Sequence, residues 1–256
     1  MLWVMCHPFL EERIFSQRVV LRFALALAQA GHAALRFDYE GEGESDEEGG
    51  SVAVSGFVSD TACTVEFLRG IYPGARVGLM GLRGGAWVAA MAAGACEAAG
   101  LLLWAPLLEG KAYIDECLRA NLVTQLATYS KVIEPREALL QKLHSGGRVD
   151  LQGCEVSSAW VDSVMDLSLR RVLADVSCPV TMLHLSKHGK DTVPSAWDSL
   201  LDSSRVTAEV CRCLPFWGET KVYEEAPSAL FETSLRAVQA IAQPAATRPH
   251  SAQEGS

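Results

Sequence analysis

Short apolar runs alternate with longer segments of helical periodicity along most of this chain. Uninterrupted apolar runs predict strands, and apolar residues spaced three and four positions apart predict helices. The predicted strands are residues 2–6, 33–37, 76–80, 101–104, 179–185 and 206–213. The predicted helices are residues 12–30, 52–69, 86–99, 195–201 and 227–242. Strands and helices that alternate in this way indicate an α/β fold, with a mostly parallel sheet and helices on both faces.

One long segment interrupts this alternation. Residues 107–177 are helical in pattern and show no strand signal, so we expect a helical cap there. The cap would be inserted into a core made of residues 1–106 and 178–242. Residues 243–256 are polar and contain proline, which predicts a disordered tail. Because ligands bind at the carboxyl ends of parallel strands, the loops that follow the strands are the places to look for chemistry.

Composition and charge narrow the class of protein. Of 256 residues, 49% are hydrophobic and 21% charged, which excludes a disordered or fibrous chain. The net charge of −9 argues against nucleic-acid and anionic-membrane partners. No apolar run is long enough to span a membrane, and the first residues lack a signal peptide, so a cytoplasmic protein is expected. The eight cysteines contain no CxxC pair, and neither a metal nor another cofactor is predicted.

The most informative motif follows the third predicted strand. Gly81-Leu82-Arg83-Gly84-Gly85 leads into a helix of small residues. This is the strand–turn–helix frame of a nucleophile elbow, normally G-x-S-x-G. Here Arg83 takes the central position, and its protonated guanidinium cannot attack an acyl carbon. Two interpretations remain open: Arg83 binds an anion beside the helix N-terminus, or it is a structural plug paired with Asp191.

The loop after the first strand reads His7-Pro8-Phe9, at the place where an oxyanion loop would lie. His7 either donates to a ligand oxygen or forms a hydrogen bond within its own loop. Glu11 or Glu12 would line the same side, and a carboxylate there requires a neighbouring cation. The available cations are Arg13, Arg83 and Lys111.

The sequence does not supply a complete catalytic triad. Asp191, in the loop after strand 179–185, matches the triad acid, but residues 214–219 after the last strand contain no histidine. A relic acid without a histidine to orient cannot activate a nucleophile. Cys6 and Ser45 stand at strand ends without an evident base, so we expect neither to replace the missing serine.

Several longer stretches then point to a family. In order along the chain they are HPFLEER, GLRGGAWVAA, LLLWAPLLEGKAYIDECLR, GCEVSSAWVDSVMDLSLR, LPFWGET and EEAPSALFETSL. This series resembles the exosortase A system-associated hydrolases of bacterial exopolysaccharide gene clusters, particularly the second type. The resemblance implies an α/β-hydrolase fold. It also implies one or two strands before the strand that precedes His7, so either the sheet is reduced or the start codon is assigned too late.

Two functions of different class follow. One is a hydrolase acting on an ester or acyl-modified saccharide through an unconventional or degraded site. The other is a non-catalytic protein that binds an anionic or carbohydrate ligand, or a partner in polymer assembly. Residue chemistry favours the second, and standard serine hydrolysis is not expected; the oligomeric state is left open. The groups expected to contact a small-molecule or saccharide ligand are Arg83, Gly84, His7, Phe9, Lys111 and Trp217.

Overall fold

The computed structural model describes residues 1–43, 45, 52–151, 153–187, 192–218, 224 and 226–243. Its strands are β1 (Leu2–Cys6), β2 (Ala33–Arg36), β3 (Val77–Leu82), β4 (Leu101–Trp104), β5 (Arg148–Leu151), β6 (Cys154–Ser157), β7 (Val180–Ser186) and β8 (Val206–Arg212). Six of them form one sheet in the order β2-β1-β3-β4-β7-β8, and every neighbouring pair in that sheet is parallel. The carboxyl ends of these six strands therefore meet at one edge.

Helices cover both faces of this sheet. They are α1 (Glu11–Gln29), α2 (Val54–Ile71), α3 (Gly85–Ala92), α4 (Gly110–Tyr129), α5 (Arg136–His144), α6 (Ser158–Met165), α7 (Leu169–Ala174), α8 (Asp198–Leu201) and α9 (Ser228–Ala242), with a 3-10 turn at Ser195–Trp197. The predicted parallel sheet with helices on both faces is confirmed. Within the described ranges, no helix has the length and apolar character needed to cross a membrane.

The alternation of side chains along β1 shows how one strand contributes to two hydrophobic clusters. Trp3 and Met5 belong to a buried cluster with α1 and α9. Leu2 and Val4 belong to a second cluster with α2, α3 and the segment between β4 and β7. Successive residues of a strand point to opposite faces, so a strand buried on both faces is apolar at every position.

The segment expected to be wholly helical also contains a hairpin, and the prediction that it lacks strands was wrong. Strands β5 and β6 pair antiparallel between α5 and α6. Val149 and Leu151 are buried whereas Asp150 between them is exposed, which is the two-residue period of a half-buried strand. Gly153, at φ +80°, lies in the tight turn. The alternation covers so few residues that the flanking helical pattern masked it. We refer to residues 107–177 as the inserted segment.

Candidate functional site

The elbow between β3 and α3 has the backbone geometry that its glycines predict. Arg83 stands at the turn with φ +52°, and its N–H donates to the Trp104 carbonyl oxygen at 3.0 Å. A Cβ at Gly81 would collide with the first turn of α3, and a Cβ at Gly85 would collide with the Cys6 carbonyl oxygen. An arginine with positive φ is strained, so the surrounding structure must hold it in place.

Two carboxylates hold the guanidinium of Arg83. Its Nε donates to Glu12 Oε1 at 2.9 Å, and its Nη2 lies 2.9 Å from the same oxygen. Nη2 also donates to Oε1 and Oε2 of Glu116, at 3.1 and 3.2 Å. The Arg83 and Glu12 side chains are only 10% and 14% exposed, whereas that of Glu116 is 57% exposed. Arg83 therefore ties the first turn of α1 to α4 of the inserted segment.

Burial sets the protonation of this cluster. It raises the pKa of Glu12 to about 7, because the nearby Arg83 charge opposes only part of the effect and the Glu116 charge adds to it. Burial alone would lower the pKa of Arg83, but the charges of Glu12 and Glu116 outweigh it and raise that pKa. The guanidinium thus stays cationic, and Glu12 is the member that takes up a proton near neutral pH. In the described part of the chain, Glu12 Oε2 is buried without a hydrogen-bond partner.

Aromatic rings surround the same guanidinium. The Trp217 ring centre lies 5.3 Å from Arg83 Cζ, and that of Tyr113 lies 6.0 Å away. Both distances are within the range of cation–π attraction. Trp217 is therefore next to Arg83, whereas the Phe9 side chain is 1% exposed and packs against Gly84 as part of the core. Any contribution of Phe9 to ligand binding must come from its backbone.

Two backbone groups beside Arg83 lack partners. Among the described residues, the N–H groups of Phe9 and Gly84 form no hydrogen bond. Gly84 directly follows the elbow residue, and Phe9 lies in the loop after β1. The α/β-hydrolase frame stabilises an oxyanion with N–H groups at these two kinds of position. Chemically, this arrangement is suited to holding a negatively charged oxygen.

The structure places the His7 ring on the β2 side of its loop. Its Nδ1 lies 2.8 Å from the Pro8 carbonyl oxygen, and its ring centre lies 4.0 Å from that of Tyr39. Burial lowers the pKa of His7 to about 4, so the imidazole is neutral. Because a carbonyl oxygen can only accept, Nδ1 carries the proton and Nε2 presents a lone pair. Of the two alternatives weighed for His7, the structure contains the hydrogen bond within the loop.

Two other predicted site residues are not brought to Arg83. Lys111 lines a separate cavity of about 150 Å³ between α4, α5 and α6. Asp191, expected as a relic triad acid and as a partner for Arg83, lies outside the described residues. Among the residues that the structure describes, the ion-pair partners of Arg83 are Glu12 and Glu116.

The candidate substitute nucleophiles remain unsuitable. Burial raises the pKa of Cys6 to about 12, so its thiol stays protonated, and its Sγ lies 3.7 Å from Thr61 Oγ1. The Ser45 hydroxyl donates to the Asp38 carbonyl oxygen. No cluster of three metal-ligating side chains occurs among the residues that the structure describes.

Glu116 is the site residue that sequence reasoning missed. Its carboxylate binds Arg83 although the two residues are 33 positions apart. A signal was present, because Tyr113 and Glu116 are three residues apart on one helix and so share a face. Tyr113 faces Arg83, so Glu116, one helical turn later, lies on the same side of α4.

Comparisons with known proteins agree with this fold. A family model described as serine aminopeptidase, S33 (Hydrolase_4) matches residues 5–150, more than half of the chain. No curated protein matches. The α/β-hydrolase fold expected from the sequence is confirmed by solved structures, although at these identities the likeness shows the fold alone.

Three of those structures illustrate the likeness. Est1E from Butyrivibrio proteoclasticus, with ferulic acid bound, has a TM-score of 0.62 and 16% identity over 94% of this chain and 90% of its own. Proline iminopeptidase from Mycobacterium smegmatis has a TM-score of 0.58 and 13% identity over 94% and 90%. Mouse α/β-hydrolase domain-containing protein 10 has a TM-score of 0.54 and 18% identity over 94% and 88%.

Proposed function

We propose that this chain, which belongs to the serine aminopeptidase S33 family, binds an anionic ligand at Arg83 and does not use a serine acyl-enzyme. The observation that carries the proposal is the guanidinium of Arg83 at the elbow, tied to Glu12 and Glu116. An acyl-enzyme requires a nucleophile and a base at this turn, and a permanently charged guanidinium supplies neither.

The unoccupied donors around Arg83 support a carboxylate as the ligand. Nη1 of Arg83 has no hydrogen bond in the described chain and is not among its fully buried unpartnered atoms. The free N–H groups of Phe9 and Gly84 add two more donors. Charge-assisted bonds from a guanidinium to a carboxylate are among the strongest hydrogen bonds that proteins form. The half-exposed Glu116 carboxylate is then the internal anion with which a ligand competes.

Binding is tested by titration calorimetry with ferulate and its neutral methyl ester. Ferulate is chosen because one structural neighbour contains ferulic acid. We expect ferulate to bind at least about tenfold more tightly than the ester. Glu116→Gln should strengthen ferulate binding several-fold, because it removes a competing charge, and Arg83→Gln should weaken it at least about tenfold. Unchanged or weaker binding by Glu116→Gln would argue against this site.

The pH dependence of binding gives a second measurement. Glu12 gains a proton as the pH falls through about 7, which makes the cluster more positive. Ferulate should therefore bind more tightly at pH 6 than at pH 8. Glu12→Gln should flatten this dependence, and a pH dependence that survives in Glu12→Gln would assign it to another group.

Catalysis is tested with a fluorophosphonate probe and short p-nitrophenyl esters. Neither labelling nor turnover should exceed that of Arg83→Ala. Arg83→Ser should also remain inactive, because no histidine occurs in residues 214–219 to activate a new serine. Labelling of the wild-type protein well above the Arg83→Ala variant would refute the non-catalytic function.

A hydrolase with an unconventional site is the second candidate. It is favoured by the free N–H groups of Phe9 and Gly84 and by the Glu12 carboxyl, whose pKa of about 7 suits a general base. Glu12 would then accept the proton of a water that attacks an ester or acyl-modified saccharide. This function predicts turnover of methyl ferulate by the wild-type protein that Glu12→Gln abolishes.

The biological setting rests on the motif series from HPFLEER to EEAPSALFETSL. Its resemblance to exosortase A system-associated hydrolases supports a cytoplasmic role in bacterial exopolysaccharide assembly, with a saccharide or an assembly protein as partner. Genes for exopolysaccharide synthesis beside the gene of this protein would support this role directly. A gene deletion that leaves the amount and acylation of the polymer unchanged would remove the proposal.

A further inference from the structure

An open concavity lies in the inserted segment, between the second half of α4, the turn of residues 130–135 and the hairpin of β5 and β6. It has a volume of about 780 Å³, within the range of ~300–1,000 Å³ that is typical of small-molecule sites. We call it the hairpin groove. Its lining includes Thr124, Thr128, Tyr129, Ile133, Glu134 and Asp150, but not Arg83.

Two amide side chains hold the walls of the hairpin groove in one arrangement. Gln125 Oε1 accepts from the N–H groups of Ile133 and Glu134, at 2.7 and 2.9 Å, which fixes α4 to the turn that follows it. Gln125 Nε2 donates to Asn121 Oδ1 at 2.7 Å, and Asn121 Nδ2 donates to the Asp150 carbonyl oxygen at 2.8 Å. The same amides therefore fix the hairpin to α4. A groove whose walls are already held in place loses little conformational entropy when a ligand binds.

Two large apolar side chains of the hairpin groove are open to solvent. Tyr129, the last residue of α4, is 60% exposed, and Ile133 is 51% exposed. Exposed apolar surface that is rimmed by polar groups is typical of a ligand-binding groove. The Tyr129 ring offers an apolar face, and within the described ranges its hydroxyl forms no hydrogen bond. A ligand with an apolar face and polar edges fits such surroundings.

Accessible oxygens with unused hydrogen-bonding capacity stand beside these apolar groups. Thr124 and Thr128 are exposed and share one face of α4, and in the described chain neither hydroxyl forms a hydrogen bond. The exposed Asp150 carboxylate accepts from the Gly153 N–H through Oδ1 at 2.9 Å, which leaves Oδ2 to accept from a ligand. A hydroxyl forms a stronger hydrogen bond with a carboxylate than with a neutral acceptor.

The charge of the hairpin groove favours a neutral ligand over an anion. The Glu134 carboxylate lies 3.8 Å from the half-exposed Lys142 ammonium, whereas Asp150 has no ion-pair partner among the described residues. Of the described residues that line the groove, none is a cation. A carboxylate or phosphate ligand would therefore meet like charge here, which is the opposite of its situation at Arg83.

From these groups we propose that the hairpin groove binds a neutral saccharide, with the C–H face of a sugar ring on Tyr129 and sugar hydroxyls donating to Asp150 and to the two threonines. A hydrocarbon would make no use of the oxygens. A uronic acid would bring its carboxylate beside those of Glu134 and Asp150. The site does not depend on Arg83 or on the function proposed for the elbow.

An array of immobilised neutral oligosaccharides tests the ligand class. We expect the wild-type protein and Arg83→Gln to bind the same neutral glycans with equal affinity, which separates this site from the elbow. In Arg83→Gln, which lacks the cation of the elbow, replacing the neutral sugar by its uronic acid should weaken binding at least about tenfold. Binding to none of the neutral glycans, or equal binding of the uronic acid, overturns the proposal.

Variants at exposed positions locate the site, measured by calorimetry with the glycan that the array binds most tightly. Tyr129→Ala should weaken binding about tenfold, whereas Tyr129→Phe, which keeps the ring, should retain most of the affinity. Thr128→Val should weaken it several-fold. Tyr72→Ala is the matched control, because Tyr72 is 48% exposed directly after α2 and does not line the groove, so affinity should be unchanged.

Full glycan affinity in Tyr129→Ala contradicts the assignment of the site. Sedimentation of the same variant tests the other use of this surface. A lower sedimentation coefficient of Tyr129→Ala, without glycan binding by the wild-type protein, would assign the surface to a second copy of the chain and overturn the proposal.

Discussion

Arg83 and Arg36 both lie near the carboxyl edge of the sheet, but their electrostatic surroundings are opposite. Two carboxylates, Glu12 and Glu116, neutralise Arg83, whereas Arg36 has no partner in the described chain. The first turn of α1 serves both places, with Glu12 on one side and Arg13 on the other. The buried pair with Glu12 ties α1 to the elbow, whereas a ligand at Arg83 has to compete only with the half-exposed Glu116.

The two places also differ in their titratable group, which is the acid Glu12 beside Arg83 and the base His7 in the loop after β1. Burial raises the pKa of Glu12 to about 7 and lowers that of His7 to about 4. In both cases the neutral form is favoured, because burial penalises charge. An acid and a base that both prefer to be neutral make stability depend on pH with opposite signs. The free energy of unfolding, measured at several pH values, therefore tests the difference between the two places, as ligand binding does.

The largest expected effect comes from removing the buried carboxylate at the elbow. Glu12→Leu leaves the Arg83 guanidinium with only the half-exposed Glu116, and we expect a loss of about 3 kcal/mol in the free energy of unfolding. Urea denaturation at pH 7 measures it. Arg136→Gln is the matched control, because its pair with Asp115 is exposed on both sides and contributes at most about 1 kcal/mol. A loss no larger than that of the control would mean that Glu116 alone holds Arg83.

Glu12→Gln isolates the pH dependence at the elbow. In the folded protein the pKa of Glu12 is about 7 against an ordinary value of 4.5, so the folded state binds the extra proton between these values. The wild-type protein should therefore lose stability as the pH rises through this range, by up to about 3 kcal/mol relative to Glu12→Gln. Urea midpoints at pH 5, 6 and 7 measure the difference. Parallel pH profiles of the two proteins would show that Glu12 titrates normally.

His7→Gln gives the opposite sign in the loop after β1. The pKa of His7 is about 4 in the folded protein against an ordinary value of 6.5, so the unfolded state binds the proton between these values. The wild-type protein should lose stability as the pH falls from about 6.5 toward 4, by up to about 3 kcal/mol relative to His7→Gln. The same urea series, extended to pH 4, detects it. A wild-type profile that follows the variant would indicate that His7 is solvated.

The smallest effect is expected at Glu116. Because this carboxylate is 57% exposed, Glu116→Gln should change the free energy of unfolding by less than about 1 kcal/mol. Thermal melting of Glu116→Gln and Glu12→Leu at pH 7 compares how much each carboxylate contributes to stability. A loss as large as that of Glu12→Leu would mean that the half-exposed Glu116 stabilises the fold as much as the buried Glu12 does, which contradicts the roles assigned to them.

Much of the framework was predictable from local pattern. The bounds of β1 and β4 agree with the sequence to the residue, because each is a short apolar run buried on both faces. The hairpin of β5 and β6 was missed, because few positions alternate there and the strands lie between helices. The position of Arg83 at a strained turn followed from glycine spacing, since few sequences allow so tight an approach of helix and sheet.

The sequence by itself determined a parallel α/β sheet, an elbow with a cation in place of a nucleophile, and the lack of a histidine in residues 214–219, directly after the last strand. Only the tertiary structure decided which charges meet. Arg83 pairs with Glu12 and Glu116, which are 71 and 33 residues away in the sequence. Arg36 has no such partner in the described chain. The physical reason is that backbone pattern and turn chemistry are local, whereas the pairing and burial of a charge depend on every element that folds against it.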